Sequence, residues 1–328
     1  MLKGIRRLNR YENRIFKIAK DGGSLVRLSQ LGFSRKTKDN FRFPIYSLEI
    51  GKPKAIQKNP VGVVAGVHGL ETIGVRVVLD FLEFLVNSPK KDFLPEVFAG
   101  EIGIVSIPII NPGGILKSTR SNPAGIDLMR NSGIEAVKAP FFFGGHKISK
   151  HLPYYRGNYL EPEARIVKRF VEKYFFSNEK SILSLIDIHS GFGSIDHVWW
   201  PFAFSRESCA DEKIYQKMAW HLKEKKLHSS YEYGPQSETY TTHGDLWDLF
   251  YLEYQNRIES KNLKSKFLPW TLEIGTWSDI PIEPSKLFRK RGIFNPAKEN
   301  KQAVIRKYRN FLRDFVCLSS YKRSHWLI

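Results

Sequence analysis

Residues 61–86, VGVVAGVHGLETIGVRVVLDFLEFLV, decide the fold. The first seven residues are apolar or glycine, which fits a strand buried on both faces. From Glu71 to Val86 the period changes. Ile73, Val77, Val78, Phe81, Leu82 and Leu85 recur at helical spacing, with Arg76, Asp80 and Glu83 between them. A buried strand that turns on Gly69 into an amphipathic helix is an α/β unit. Open α/β sheets keep their chemistry at the carboxyl ends of such strands. His68 and Glu71 sit at that end, three residues apart. Imidazole and carboxylate both suit Zn²⁺. Four residues with two fixed letters are weak evidence alone, and a structural histidine with a first-turn glutamate explains them equally well.

Working outward, FRFPIYSLEI (41–50) reads as a strand paired with 61–67, with Gly51-Lys52-Pro53 as the turn between them. EIGIVSIPII (101–110) is a short apolar run ending at Asn111-Pro112-Gly113-Gly114, hence a buried strand and a loop. Residues 111–160 are irregular and rich in Gly, Pro, Asn and aromatics, a length that points to function. A helix is expected over 161–176, with Pro162 in its first turn. SILSLIDIHS (181–190) is a second apolar strand ending in a histidine, and LPWTLEIG (268–275) a third ending in a carboxylate. VWWPFAF (198–204) reads as a strand and 210–227 as a helix. The last helix is expected from Pro296 to about Val316, capped by Asn295. These alternations predict an α/β fold: a mixed, mostly parallel central sheet with helices on both faces. Residues 1–40 are expected to be a basic N-terminal extension belonging to the same fold, and 41–328 the catalytic domain.

Composition narrows the function. With 42% hydrophobic and 13% aromatic residues, the 328-residue chain can bury a sizeable core. Its two cysteines, Cys209 and Cys317, supply neither a disulfide framework nor a cysteine-rich metal site, so a metal must be held by His and carboxylates. The N-terminal stretch MLKGIRRLNRYENRIFKIAK is basic without the apolar core of a leader, and no run approaches a membrane span. The cytoplasm is the expected location. The net charge of +19 favours anionic partners in general. Its Lys and Arg are dispersed, however, in short clusters such as Lys223–Lys226 and Arg289–Arg291, with no nucleic-acid motif. A specific nucleic-acid partner is not expected.

Three apolar strands thus end in His68 with Glu71, in His189, and in Glu273. Two histidines and one glutamate make a three-ligand zinc set with a position left for water, and a further carboxylate could take that water's proton. Arg120 and Arg130 in the long loop could bind a carbonyl oxygen or an anionic group. Each residue also has an ordinary reading as core histidine, surface ion pair or loop solvation.

Over residues 41–277 the chain resembles the zinc metallocarboxypeptidases, in the manner of their shorter bacterial-type members. The resemblance rests on ordered motifs: His68-x-x-Glu71, Asn111-Pro-x-Gly114, Ser-Thr-Arg120-Ser-Asn and Gly125-Ile-Asp127-Leu-Met-Arg130-Asn131. Tyr-Arg-Gly…Glu-Pro-Glu (155–163), His189-Ser-Gly and Leu272-Glu273 follow in order. The resemblance implies one Zn²⁺ per chain on His68, Glu71 and His189, with Glu273 as general acid/base. It implies Arg120 as the oxyanion electrophile and Arg130, with Asn131, as the clamp for the substrate's terminal carboxylate. Tyr240 matches a mobile tyrosine, and Trp247 a position lining the specificity pocket. One position departs: Met129 stands where the family has an asparagine beside the clamp, and a thioether donates no hydrogen bond. The function implied is release of C-terminal residues from a peptide, possible substrates including acidic or peptidoglycan-derived peptides. The alternative is an N-acyl amino acid deacylase of the succinylglutamate desuccinylase and aspartoacylase kind, which shares the H-G-x-E motif.

Overall fold

The computed structural model describes residues 2–88, 92–177, 182–225 and 228–320. Helix α1 (Leu2–Gly22) leads to β1 (Val26–Phe33), β2 (Pro44–Ile50), the short α2 (Pro53–Lys58) and β3 (Pro60–Ala65). Helices α3 (Thr72–Asn87) and α4 (Pro95–Ala99) precede β4 (Gly103–Ile107), and α5 (Pro112–Lys117) follows it. The stretch to residue 160 is otherwise irregular apart from a 3₁₀ turn at Leu128–Arg130. Then come α6 (Pro162–Val171), continued by a π turn at Glu172–Phe176, and β5 (Ile182–Ser190). Strand β6 (His197–Trp200), α7 (Glu212–Glu224), β7 (Glu232–Pro235), the one-turn α8 (Gln236–Thr239), α9 (Leu246–Lys261), β8 (Lys266–Ile274) and α10 (Lys301–Leu318) complete the chain.

The described strands form one eight-stranded sheet in the order β1-β2-β4-β3-β5-β8-β6-β7. Its centre, β4-β3-β5-β8, is parallel throughout, and β6-β7 is a further parallel pair; β1-β2, β2-β4 and β6-β8 are antiparallel. The mixed, mostly parallel sheet is therefore as expected. Side chains alternate across it with period two. Val61, Val63 and Ala65 of β3 face a core built with α1, α3, α7 and α10, while Val64 faces the core of α6 and α9. Burial on both faces is why these strands read as unbroken apolar runs.

Several expectations fail, among them the strand over 198–204, which ends at Trp200. Strands β2 and β3 are not partners, because β4 lies between them and pairs with both. Gly51-Lys52-Pro53 opens a helix instead of a hairpin, since Pro53 at the first helical position needs no amide partner. The final helix starts at Lys301, not Pro296, and Asn295 does not cap it. Position 181, expected to open β5, and positions 226–227, expected to end α7, lie outside the described residues.

Of the first forty residues, those described do not stand apart from the sheet. Strand β1 runs antiparallel to β2 along seven register pairs, and Leu8, Tyr11, Ile15 and Ile18 of α1 are buried against α3. Among the described residues no helix is long and apolar enough to cross a membrane.

Candidate metal centre and cleft

Parallel β3, β5 and β8 end on one side of the sheet, so their last side chains converge. His189 and Glu273 are register partners across β5-β8. His68 arrives on the turn after β3. That turn packs backbone to backbone on the first turn of α5, a helix where a loop was expected over 111–114; a Cβ at Gly69 would lie 1.9 Å from the Gly114 carbonyl carbon, which explains the glycine. Asn111 caps α5 by accepting from Gly114 N–H and ties it to the turn by donating to Val67 O.

The result is a buried cluster in which His68 Nδ1, His189 Nδ1 and the Glu71 carboxylate face one point. His68 Nδ1 is 2.8 Å from Glu71 Oε1, His189 Nδ1 is 3.1 Å from Glu71 Oε2, and the two Nδ1 atoms are 3.2 Å apart. Two ring nitrogens do not converge without something between them to satisfy both lone pairs. The opposite ring nitrogens are each taken: His68 Nε2 by Asp127 Oδ1 at 3.0 Å, His189 Nε2 by Asp187 Oδ2 at 2.8 Å. A carboxylate behind each ring fixes the Nε2–H tautomer and turns the Nδ1 lone pair inward, the usual support for a metal-ligating histidine. Among the described residues this trio is the cluster whose donor set could hold a metal ion, and its donors fit zinc.

Electrostatics agree. Burial alone would raise Glu71 and Asp127, yet His68 and His189 hold Glu71 below the usual carboxylate range, and Arg120 with His68 hold Asp127 well below it. Burial alone would depress the His189 imidazolium, but Asp187 and Glu71 outweigh it and hold His189 well above its ordinary value. Glu273 behaves differently. Burial, reinforced by the nearby Glu71 charge, pushes its carboxyl up to about 8, although Phe192 N–H donates to Oε1 at 3.1 Å.

These groups open into a cleft of about 390 Å³, within the range of small-molecule sites. His68, Glu71, His189, Glu273, Arg120, Arg130 and Tyr240 all line it. Arg120 donates through Nε to Asp127 Oδ2 at 2.6 Å and through Nη1 to Glu71 Oε1 at 3.4 Å, with its guanidinium over the Tyr154 ring. Arg130 is oriented by backbone: Nε and Nη2 donate to Phe143 O and Nη1 to Met129 O. Main-chain carbonyls thus orient Arg130 but supply no donor in the asparagine's stead, and Met129 itself contributes an apolar wall. Gly244, at φ +72°, lets the Tyr240 loop press on Arg130; a Cβ there would lie 2.0 Å from Arg130 O. Tyr240 packs on Phe143 and Phe192 beside Arg130 and Glu273.

Asn131 and Trp247 are placed elsewhere. Asn131 spends its amide on Arg156 O, Tyr159 O and Glu161 N–H, tying down 156–161, and does not line the cleft. Trp247 is buried behind His189, its Nε1 donating to Asp187 Oδ2 at 3.1 Å. Sequence reasoning passed over Asp127 and Asp187. The signal for Asp187 was present: in a strand, residues two apart share a face, so Asp-x-His sets a carboxylate beside the ring.

Asn295 was also missed in its actual role. Glu71 stands at the N-cap of α3 but its side chain is committed to the cluster, so it makes no capping bond. Asn295 does so from 222 residues away: Oδ1 accepts from Ile73 N–H (3.0 Å) and Thr72 Oγ1 (2.9 Å), and Nδ2 donates to Leu70 O (2.9 Å). Asn295→Ala is expected to lower unfolding free energy by about 1–2 kcal/mol, as for other lost caps. Asn295→Asp, which keeps the capping oxygen, should lose less. Denaturant titration of the two variants checks this, and equal losses would contradict the capping role.

The comparisons with known proteins agree with this geometry. The family described as zinc carboxypeptidase (Peptidase_M14) matches residues 11–274. Among solved structures, thrombin activatable fibrinolysis inhibitor superposes with a TM-score of 0.69 at 18% identity, covering 94% of this chain and 73% of that one. The bovine protein in complex with tick carboxypeptidase inhibitor gives 0.65 at 17%, covering 95% and 96%. Carboxypeptidase A from Helicoverpa armigera gives 0.59 at 15%, covering 92% and 70%. At these identities the likeness is one of fold. A curated relative, carboxypeptidase SOL1 from Arabidopsis thaliana, is 29% identical over 91 residues, which span 27% of this chain and 18% of that protein. With the family matched over most of its length and the triad assembled, the chain belongs to the zinc carboxypeptidase family.

Proposed function

We propose that the chain is a zinc-dependent metallocarboxypeptidase that releases C-terminal residues from peptides. The observation that carries the reading is the placement of a cationic clamp, Arg130, and a carboxylate of raised affinity for protons, Glu273, in the same cleft as the His68–Glu71–His189 triad. Zinc held there would polarise the scissile carbonyl and make water acidic enough to give up a proton near neutrality. Glu273 is placed to receive that proton and pass it to the leaving amine, because it is the register partner of His189 and lines the same cleft. Arg120, held by Asp127 and Glu71, presents positive charge to the oxyanion that develops on the carbonyl. Arg130 has five N–H groups, of which three bind Phe143 O and Met129 O. The rest of the guanidinium lies beside the Tyr240 hydroxyl, and the fork suits the two oxygens of a terminal carboxylate. Tyr240 lies over the same position.

The family match supports peptide hydrolysis over the deacylase alternative. Acidic or peptidoglycan-derived peptides in the cytoplasm remain our proposal for the setting; the net charge of +19 would draw acidic peptides over long range. The test compares a peptide with its C-terminally amidated form and with small N-acyl amino acids. Cleavage of the free acid should vanish on amidation. Arg130→Ala should lower kcat/KM by roughly 10- to 100-fold, the effect of one charge-assisted hydrogen bond or slightly more. Hydrolysis of N-acyl amino acids with no residue released from any peptide would overturn the carboxypeptidase reading.

A further inference from the structure

Outside the cleft, beside the turn that carries Glu71, folding gathers a group of cations. Arg7 and Tyr11 lie four residues apart on one face of α1, and Thr72 and Arg76 lie likewise on α3. Arg76 Nε donates to Tyr11 OH at 3.3 Å, while Arg291 donates to Leu70 O at 3.4 Å and to Thr72 Oγ1. Three guanidiniums from three segments therefore stand side by side. Gly4 permits the approach of α1, since a Cβ there would lie 2.0 Å from Leu116 O. Arg7 then reaches the end of α5, donating to Ile115 O (3.1 Å) and Ser118 Oγ (2.7 Å). Lys298 and Lys301, at the entry to α10, complete the group, Lys301 next to Arg76 and Arg291. None of the five lines the catalytic cleft.

The group lacks acid. Elsewhere the half-buried Arg14, Arg309 and Arg313 each meet a carboxylate. Among the described residues Arg7, Arg76, Arg291, Lys298 and Lys301 form no ion pair. Asp80 and Glu83, one and two turns beyond Arg76 on α3, are held by Arg309 and Arg14. Arg7, Arg76, Arg291 and Lys301 are all half-buried, so their mutual repulsion is poorly screened by water. Burial together with Arg76, Arg291 and Lys298 pushes the Lys301 ammonium down to about 8, and burial with Arg7 and Arg76 pushes Arg291 down to about 10. Tethering to main chain accounts for Arg7 and Arg291. It does not account for Arg76 and Lys301 being set against them.

A cavity of about 160 Å³ opens beside this group, and Arg291 and Lys298 line it with Lys286 and Arg289. The acidic side chain in its lining, Glu283, is engaged by Arg289, and Lys286 is held by Asp279. The volume is roughly half the lower bound of about 300 Å³ for small-molecule pockets, which suits an ion better than a bulky organic ligand.

We propose that the cluster and the cavity beside it form a binding site for a compact polyphosphate anion, a diphosphate or triphosphate, separate from the catalytic cleft. Guanidinium forks match phosphoryl oxygens two at a time. A lone carboxylate would bring one negative charge to five cations, whereas linked phosphoryl groups bring several in a small volume. The occupant would relieve the repulsion and, through Arg291, firm the turn from Leu70 to Thr72. The site does not depend on the reaction in the cleft.

Calorimetry on zinc-loaded protein tests it with tripolyphosphate, with citrate as a polycarboxylate control, and with ATP, which carries the same phosphoryl chain on a nucleoside. Tripolyphosphate is expected to bind at least about 10-fold tighter than citrate. ATP of equal affinity would support a nucleotide's phosphate tail as the source, and weaker ATP the free ion. Arg76→Gln and Lys301→Gln should each weaken tripolyphosphate by about 10-fold or more, the effect of one charge-assisted hydrogen bond. Polyphosphates also chelate zinc, and Arg120 and Arg130 offer them a second landing place. The readout is therefore the difference between native and variant, with zinc measured before and after.

Thermal unfolding adds a sign that a structural role would reverse. Without any anion, Lys301→Gln should melt higher than the native protein, because a repelling charge is gone. Tripolyphosphate at about a hundredfold excess over its Kd should raise the native melting temperature by about 3 °C or more, and that of the variant by less. No binding, citrate as tight as tripolyphosphate, affinity unchanged in both variants, or an anion-free Lys301→Gln that melts lower would overturn the proposal.

Discussion

His189→Ala is expected to reduce zinc from about one ion per chain to none detectable by elemental analysis after dialysis. Two ligands remaining of three cannot hold the metal at ordinary concentrations. His68→Ala should do the same. The carboxylates behind the rings make a graded control. Asp187→Asn keeps all three ligands but takes away the acceptor that orients His189, and changes of this kind weaken metal affinity by roughly 10- to 100-fold. Trp247→Phe, which removes only the indole donor to Asp187, should fall between Asp187→Asn and the native protein. Full zinc content in His189→Ala would refute the ligand set outright. Full affinity in Asp187→Asn would refute the orienting role alone.

Glu273→Gln is expected to keep its zinc and lose roughly 10²–10⁴-fold in turnover, the span associated with loss of a general base. The amide keeps the size of the side chain and can still accept from Phe192 N–H, so the loss is chemical and not architectural. Stability supplies a second readout with the opposite sign. In metal-free protein the folded state holds the Glu273 proton up to about pH 8, whereas an ordinary glutamate releases it near 4.5. Between those values the folded state binds more protons than the unfolded chain, so the group's contribution falls as pH rises and levels off above about 8. Chelator-treated Glu273→Gln should therefore be more stable than the native protein at pH 8 and about equal at pH 4.5. Chemical denaturation at the two pH values measures it. A variant that is both active and no more stable at pH 8 would show Glu273 to be structural.

The two results address a trade that sequence alone displays only in part. The strand-to-helix switch at 61–86 was legible because burial on both faces leaves an unbroken apolar run, and a helix imposes its own period. The three strand ends followed, and with them every side chain of the triad and Glu273. What was not legible depends on partners far along the chain. Asn131 looked like a second arm of the clamp, yet its amide is consumed by carbonyls 25 and 28 residues on. Trp247 looked like a pocket wall, but the indole nitrogen needs an acceptor, and Asp187 supplies it from the far side of His189. Strand neighbours obeyed the same limit. Each of β2 and β3 reads well as a strand, while the insertion of β4 between them is a property of the whole sheet.

The bond between Asn295 and the start of α3 also sets a schedule. Glu71 reaches the cluster from a helix whose first turn is finished by a side chain 222 positions later. Contacts of such separation form late, after the loops between them have closed. A ribosome that has made β3, α3 and even His189 has not yet delivered the residue that completes the turn carrying Glu71. The turn that carries Glu71 is thereby firmed only once Asn295 has been made and has folded back on α3.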